Sequence, residues 1–257
     1  MPARKADDVT PGKTSSPSSL ASSKLIRVLS DLDVAAGAAS PGQFTGRLAQ
    51  LIDFNDSISI SNAHAKASSA DFEPSGESPR VLREDFLRAR SAMLQAVMKS
   101  FSPQSAAVRI RLPEPTPQAP QDPLSAYEPY QRFYAAHQRQ IDFSSRNLQT
   151  QVRRTAAGLS PQLARLSALD SALGDPLGSW SRQCFAAAPS LLGKRFIQLH
   201  RQCCSTAGET GNWPLLLQGF CTEMRETLLA EIDARLLPAL GLIEAVNAQI
   251  EVPTYDD

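Results

Sequence analysis

The chain has 257 residues, of which 42% are hydrophobic and 6% aromatic, and 26 Lys and Arg balance 26 Asp and Glu. A chain of this composition can bury a Leu- and Ala-rich core, and it has no overall field that would favour nucleic acid or an anionic membrane. No run of about 18 apolar residues is present, so we expect no membrane insertion.

Residues 1–23 contain three Pro and six Ser and almost no apolar side chains. Such a segment cannot offset its ordering entropy by burial, so we predict a disordered tail. It also lacks the apolar core of a signal peptide. We therefore expect a cytoplasmic protein, in which the four cysteines stay reduced.

Residues 24–102 are predicted to form an N-terminal helical region. Apolar residues at helical spacing predict helices over 23–34, after Ser40 and over 79–102, with a weaker helix–turn over 54–67. Ser40, Ser78 and Ser160 each precede a proline, which is typical of a capping hydroxyl followed by a first-turn proline. Six prolines in 103–124 then predict a linker, with a PxxP ligand as the alternative.

Residues 125–252 are predicted to form a C-terminal helical bundle. A helix over 125–157 has apolar and aromatic residues close to a heptad a/d pattern, although Ser144 and Gln151 occupy the later d positions. Further helices are predicted over 161–173, over 177–204 with an interruption at Pro189, and over 214–250. The predicted fold class is all-α: a helical bundle with long coiled-coil-like helices in the C-terminal half.

The sequence contains no recognisable catalytic, cofactor or metal site. No nucleophile elbow and no phosphate-binding glycine loop is present, and the three His offer few general bases. His200, Cys203 and Cys204 lie within one helical turn, but no CxxC pair accompanies them, so buried thiols are favoured over a zinc site. Glu231 and Arg235 are interpreted as an ordinary i,i+4 pair, worth about 0.3–0.5 kcal/mol. We therefore expect neither enzymatic activity nor a cofactor.

Four arginines recur every seven residues along the long helix. They are Arg132, Arg139, Arg146 and Arg153. With Tyr127 at heptad position a, all four occupy position f, the outermost one, at intervals of about 10.5 Å. A solvated surface is the simplest interpretation, and the functional one is a docking ridge for an acidic partner helix. Nucleic acid is less favoured, because phosphate binding usually needs denser Lys and Arg.

Several segments with helix-core patterns resemble an uncharacterised proteobacterial family whose domain has no assigned function. These segments are KLIRVL (24–29), GRLAQLI (46–52), DSIS (56–59), LSALD (166–170), LLGKRF (191–196) and AEIDARLLP (230–238). The resemblance spans about 24–246 and assigns no catalytic residue. Genes of this family often lie beside genes for a membrane protein with coiled-coil segments and for an OmpA-like, peptidoglycan-binding protein. The resemblance thus implies an accessory role at an envelope complex.

The sequence therefore predicts a non-enzymatic helical interaction protein, serving an envelope-associated complex from the cytoplasm. Its expected partner is a protein, with a coiled-coil envelope protein as the candidate and a homo-oligomer as a further option. The alternative function is a nucleic-acid-binding regulator that uses the arginine ridge, whose affinity should fall steeply with salt.

Overall fold

The computed structural model describes residues 24–35, 61, 65, 67, 72–74, 76, 78–102, 109–205 and 212–251. The predicted tail and the predicted helix after Ser40 lie outside these residues, and the helix–turn over 54–67 lies almost wholly outside them. Within the described residues the chain forms five α-helices, residues 61, 65 and 67 are helical as well, and no strand is present, which confirms the all-α prediction. The helices are α1 (Lys24–Ala35), α2 (Pro79–Ser100), α3 (Pro123–Ala157), α4 (Pro161–Ser205) and α5 (Trp213–Glu251).

Helices α3, α4 and α5 form the centre of the bundle, and α1 and α2 pack against it. The short connection 158–160 makes α3 and α4 antiparallel, with Tyr127 near the start of α3 packed on Phe196 near the end of α4. Helix α5 runs parallel to α3, since Tyr134 contacts Glu231 and Ser160 contacts Gln249. Helices α1 and α2 run antiparallel to α5. The result is a bundle of mixed parallel and antiparallel helices around a single apolar cluster.

Aromatic rings fill one end of this core. Tyr127, Tyr130, Phe196, Phe220 and Trp213 lie with ring centroids 5.2–6.3 Å apart, mostly edge to face. Most of the remaining core is aliphatic. Because edge-to-face pairs add about 0.5–1.5 kcal/mol each beyond burial, this end is expected to be the more stable one.

Residues 109–122, within the predicted linker, lie along the bundle. Ile110 and Leu112 are partly buried against the core. The Trp213 indole donates a hydrogen bond to Thr116 Oγ1 at 3.2 Å, and His200 Nε2 lies 2.7 Å from the Pro120 carbonyl oxygen. The apolar cluster also includes residues from both sides of this segment. The division of the chain at 103–124 stays a prediction from composition.

The serine-capping prediction is confirmed at one of the two described sites. Ser160 Oγ accepts a hydrogen bond from the Leu163 amide at 3.1 Å. Ser78 precedes Pro79 in extended conformation, but its side chain makes no capping bond. Helix α3 begins earlier than predicted, because Asp122 caps it by accepting from the Leu124 amide at 3.0 Å.

The predicted breaks between 173 and 177 and at Pro189 are wrong, because α4 is continuous from Pro161 to Ser205. Pro189 cannot donate to the Phe185 carbonyl one turn earlier. The Gln138 side chain on α3 replaces that donor, with Nε2 2.9 Å from Phe185 O. A long-range hydrogen bond thus satisfies the carbonyl that the proline leaves free.

Gly193 lies where the Tyr127 ring crosses α4. A Cβ atom at Gly193 would lie 2.9 Å from Tyr127 Cε1. The ring has little room to move, because its hydroxyl donates to the Pro189 carbonyl at 2.6 Å and it packs on Phe196 and Phe220. Glycine is therefore required here by the close approach of an aromatic ring.

We expect Gly193→Ala to lower the free energy of unfolding by about 1–3 kcal/mol through overpacking. Gly219 and Gly241 are matched controls, since each is an exposed glycine inside α5 with no atom within 4 Å of an added Cβ. Alanine at either control site should raise stability by about 0.5–1 kcal/mol, because it restores helix propensity. Urea unfolding of the three variants measures whether the free energy of unfolding falls or rises. A stabilised Gly193→Ala protein would contradict the packing described.

Candidate functional site

Three of the four predicted ridge arginines are exposed on α3, and the fourth is not. Arg132 and Arg146 have side chains 78% and 58% exposed, and Arg139 is exposed as well. Arg153 is only 21% exposed and lies against α4, where its guanidinium pairs with Asp170 and donates to the Asp170 carbonyl at 3.0 Å. The ridge therefore extends from Arg132 to Arg146.

The different position of Arg153 follows from helical geometry. A straight α-helix drifts about 20° per heptad, which amounts to about 60° over the three heptads from Arg132 to Arg153. The buried side of α3 shows the same drift: the predicted d positions Ser144 and Gln151 give way to the buried Ser145 and Val152. The predicted pattern was close to a heptad, and in the second half of the helix the buried residues follow the period of a straight α-helix instead.

An exposed phenylalanine interrupts the ridge. Phe143 is 68% exposed, one turn after Arg139 and three residues before Arg146. We call Arg139, Phe143 and Arg146 the docking face. Phe143 was not among the predicted site residues, although the heptad pattern places this aromatic side chain at position c, on the outside of the helix.

The ridge arginines differ in their local neutralisation. Arg132 pairs with Glu128 at 2.7 Å and Arg146 with Asp142 at 3.0 Å, each one turn earlier on α3. Among the described residues, Arg139 has no carboxylate within ion-pair distance. Arg139 is thus the ridge cation most available to an external carboxylate.

A buried carboxylate lies behind this face. Glu231 on α5 is fully buried and accepts four hydrogen bonds. Oε2 accepts from Tyr134 Oη and Gln138 Nε2, both at 3.0 Å, and Oε1 accepts from Arg235 Nε and Nη2 at 2.9 and 2.7 Å. Burial raises the pKa of Tyr134 well above its usual value, and Glu231 raises it further, so the phenol stays protonated and donates.

Arg235 joins this buried carboxylate to the surface. Its guanidinium stacks on the Phe185 ring at 3.9 Å, and its Nη1 donates to Asp142 Oδ1 at 2.6 Å. Asp142 in turn pairs with Arg146 of the docking face. The predicted i,i+4 pair of Glu231 and Arg235 is present, but it is not an ordinary one, since the two residues form the buried centre of a network linking α3, α4 and α5.

An arginine-rich cleft of about 420 Å³ opens beside this network, between α3, α4 and α5. Four of its lining residues are arginines: Arg146, Arg153, Arg182 and Arg235. Asp142 is the one acidic residue among its described lining. The cleft could not be predicted from the sequence, because its arginines come from three helices.

The predicted absence of a metal site remains an expectation. Within the described part of the chain, no three His, Cys, Asp or Glu side chains are grouped so as to hold an ion. His200 and Cys204 approach each other, with Nε2 and Sγ 3.7 Å apart. Burial raises the pKa of Cys221 to about 11, so this thiol stays protonated, whereas metal binding and nucleophilic attack both need a thiolate.

A single buried histidine lies on α3. His137 is buried beside Phe133, and its Nε2 has no hydrogen-bond partner within the described structure. Burial lowers the pKa of His137 from 6.5 to about 4. The ring is therefore neutral at pH 7 and belongs to the core, away from the exposed ridge.

None of the described helices is long and apolar enough to cross a membrane. Comparison with protein families gives one match, to the family described as "Protein of unknown function (DUF3348)", over residues 12–248. The chain belongs to this family. No curated protein and no solved structure matches the chain. The family match covers all five described helices except the last residues of α5, so the docking face and the cleft both lie inside the family domain.

Proposed function

We propose that the protein is a non-enzymatic helical interaction protein that binds an acidic segment of a partner protein on the docking face of α3. The observation that carries this proposal is the exposure of Phe143 between two arginines. The core lies on the opposite side of α3, where ring and aliphatic side chains are buried. Phe143 therefore contributes nothing to that packing.

The composition of the docking face fits a protein partner. Burying a phenylalanine side chain contributes roughly 1.5–3 kcal/mol, and aromatic and Arg residues are enriched at the centres of protein interfaces. Arg139, which has no carboxylate neighbour among the described residues, offers a forked donor to Asp or Glu of the partner. An apolar anchor flanked by cations is complementary to an amphipathic helix with an acidic border.

The ridge from Arg132 to Arg146, which includes the docking face, is less suited to nucleic acid. Arg132 and Arg146 are each paired with a carboxylate of α3, which a phosphate would have to displace. Affinity for DNA or RNA depends on neutralising several phosphates with free cations. The nucleic-acid alternative predicts binding that weakens steeply with salt and is lost when Arg132, Arg139 and Arg146 become Gln, which an oligonucleotide titration measures.

We further propose that the partner belongs to an envelope-associated complex and that the protein reaches it from the cytoplasm. This setting rests on the gene neighbourhood that the sequence resemblance implies. A coiled-coil segment of an envelope protein would supply the amphipathic helix that the docking face requires.

Site-specific photo-crosslinking tests the docking proposal. A benzophenone amino acid at position 143 resembles the native phenylalanine and reacts only with groups in contact. Leu124 is the matched control, since it is 64% exposed on the same helix and about 28 Å along its axis. We expect a protein adduct at 143 that is absent at 124, with the attached peptide rich in Asp and Glu.

Two results would count against the docking proposal. Equal adducts at 143 and 124, or none at either, would show that Phe143 is an ordinary exposed side chain. An adduct of two identical chains would assign the face to self-association, and sedimentation of the unmodified protein would confirm it.

A further inference from the structure

We propose that the arginine-rich cleft binds the phosphate group of a small molecule. The four lining arginines reach it from three helices: Arg146 and Arg153 from α3, Arg182 from α4 and Arg235 from α5. Three carboxylates pair with these arginines, namely Asp142, Asp170 and Glu231. Among the described residues, these four arginines and three carboxylates leave one positive charge, in a chain whose net charge is zero.

The four arginines differ in how many of their nitrogens already donate hydrogen bonds within the protein. Arg235 directs three of its nitrogens to Glu231 and Asp142, and Arg153 directs two to Asp170. Arg182 is exposed and has no ion pair with any side chain that the structure describes. Arg182 and the exposed Arg146 are thus the donors available to a ligand. Arg153 and Arg235 are bound to carboxylates of the cleft wall.

Two glycines of α4 line the cleft beside its arginines. A Cβ at Gly174 would lie 3.4 Å from Arg153 Nη2, and one at Gly178 would lie 3.4 Å from Arg182 Nη1. Both distances are ordinary van der Waals contacts, so alanine at either position would touch the guanidinium without displacing it.

The arrangement favours a tetrahedral oxyanion over a carboxylate. A carboxylate has two oxygens in one plane, which the edge of one guanidinium satisfies, as Glu231 does with Arg235. A phosphate has oxygens pointing in several directions, so donors that converge from α3 and α4 can be used at once. The cleft volume of about 420 Å³ leaves room for more than the phosphate itself.

Phosphorus-31 NMR titration of the full chain with inorganic phosphate tests this proposal. We expect one saturable site, and Arg182→Gln should raise its Kd by about tenfold, because one charge-assisted donor is lost. Arg132→Gln is the matched control: it removes an exposed arginine outside the cleft and should leave Kd within about twofold. Acetate at matched ionic strength should not compete.

Non-saturable binding, equal Kd values for wild type and Arg182→Gln, or competition by acetate would overturn the phosphate site. Titration with adenosine monophosphate distinguishes two classes of ligand. If adenosine monophosphate binds more tightly than inorganic phosphate, the ligand is a phosphate ester, and if it binds more weakly, the ligand is the free phosphate ion. Arg146 belongs to both the docking face and the cleft lining, but Arg182 is outside the docking face and Phe143 is not part of the cleft lining. Variants at Arg182 therefore test this inference, and position 143 tests the proposed function.

Discussion

Arg235→Met is expected to lower the free energy of unfolding by about 3–5 kcal/mol, because it leaves the buried Glu231 carboxylate without its cation. Glu231 is fully buried and receives two of its four hydrogen bonds from Arg235. Methionine keeps an unbranched apolar stem against Phe185, so the loss reports mainly on the charge. Urea unfolding at pH 7 measures it.

The chain contains a matched control for this variant. Glu128 and Arg132 have the same i,i+4 order and a distance of 2.7 Å, as Glu231 and Arg235 have, but their side chains are 58% and 78% exposed. Arg132→Met should therefore cost less than about 1 kcal/mol. Adding Glu231→Gln to Arg235→Met should recover part of the loss, because a neutral side chain replaces the unpaired charge. Equal losses for Arg235→Met and Arg132→Met would contradict the buried network.

Lowering the pH is expected to reduce the free energy of unfolding because of His137. Burial holds the pKa of His137 at about 4 in the folded protein, whereas in the unfolded chain this pKa has its ordinary value of 6.5. Between these values the unfolded chain takes up a proton that the folded protein does not. The free energy of unfolding should therefore fall as the pH falls from about 6.5 to about 4, by about 3 kcal/mol in all from this residue.

His137→Leu isolates this contribution. Leucine keeps an apolar side chain of similar size beside Phe133 and has no proton to gain. We expect the variant to lose less stability than wild type between pH 7 and 4.5, while the carboxylates titrate alike in both. Parallel curves of unfolding free energy against pH would show that His137 becomes protonated without unfolding.

Helix positions could be predicted from the sequence because they depend on local periodicity. The predicted bounds of α1, α2, α3 and α5 agree with the structure within about two residues, since apolar spacing and first-turn prolines act over one or two turns. The predicted division of helix α4 was wrong. Pro189 has no backbone N–H for the Phe185 carbonyl, and the side chain of Gln138, 47 positions before Phe185 in the chain, donates to this carbonyl instead. No local pattern carries that information.

The candidate sites were predictable only in part. The seven-residue spacing identified exposed Arg132, Arg139 and Arg146, but the drift of a straight helix turned Arg153 toward Asp170. Burial of Glu231 could not be read from its i,i+4 pair, because Glu128 and Arg132 show the same pattern on the surface. Its burial depends on long-range packing of α5 against α3, as the bond from Tyr134 shows.

The glycines of the cleft illustrate the same limit. Gly174 lies in the predicted interruption between 173 and 177, and glycine disfavours a helix when only local propensity is considered. In the structure Gly174 and Gly178 lie inside a continuous helix, beside Arg153 of α3 and Arg182 of the next turn. The neighbour from α3 is distant in the sequence, so local propensity could not predict it.

We propose that an acidic protein segment binds the docking face of α3, and charge reversal at Arg139 tests this proposal most directly. Arg139 is exposed and lies outside the Glu231 network, so Arg139→Glu should fold as wild type does. With the partner captured through position 143, calorimetry should show at least about tenfold weaker binding of Arg139→Glu, and a Lys at the cross-linked acidic position of the partner should restore it. Unchanged affinity of the Arg139→Glu protein for that partner would contradict the claim.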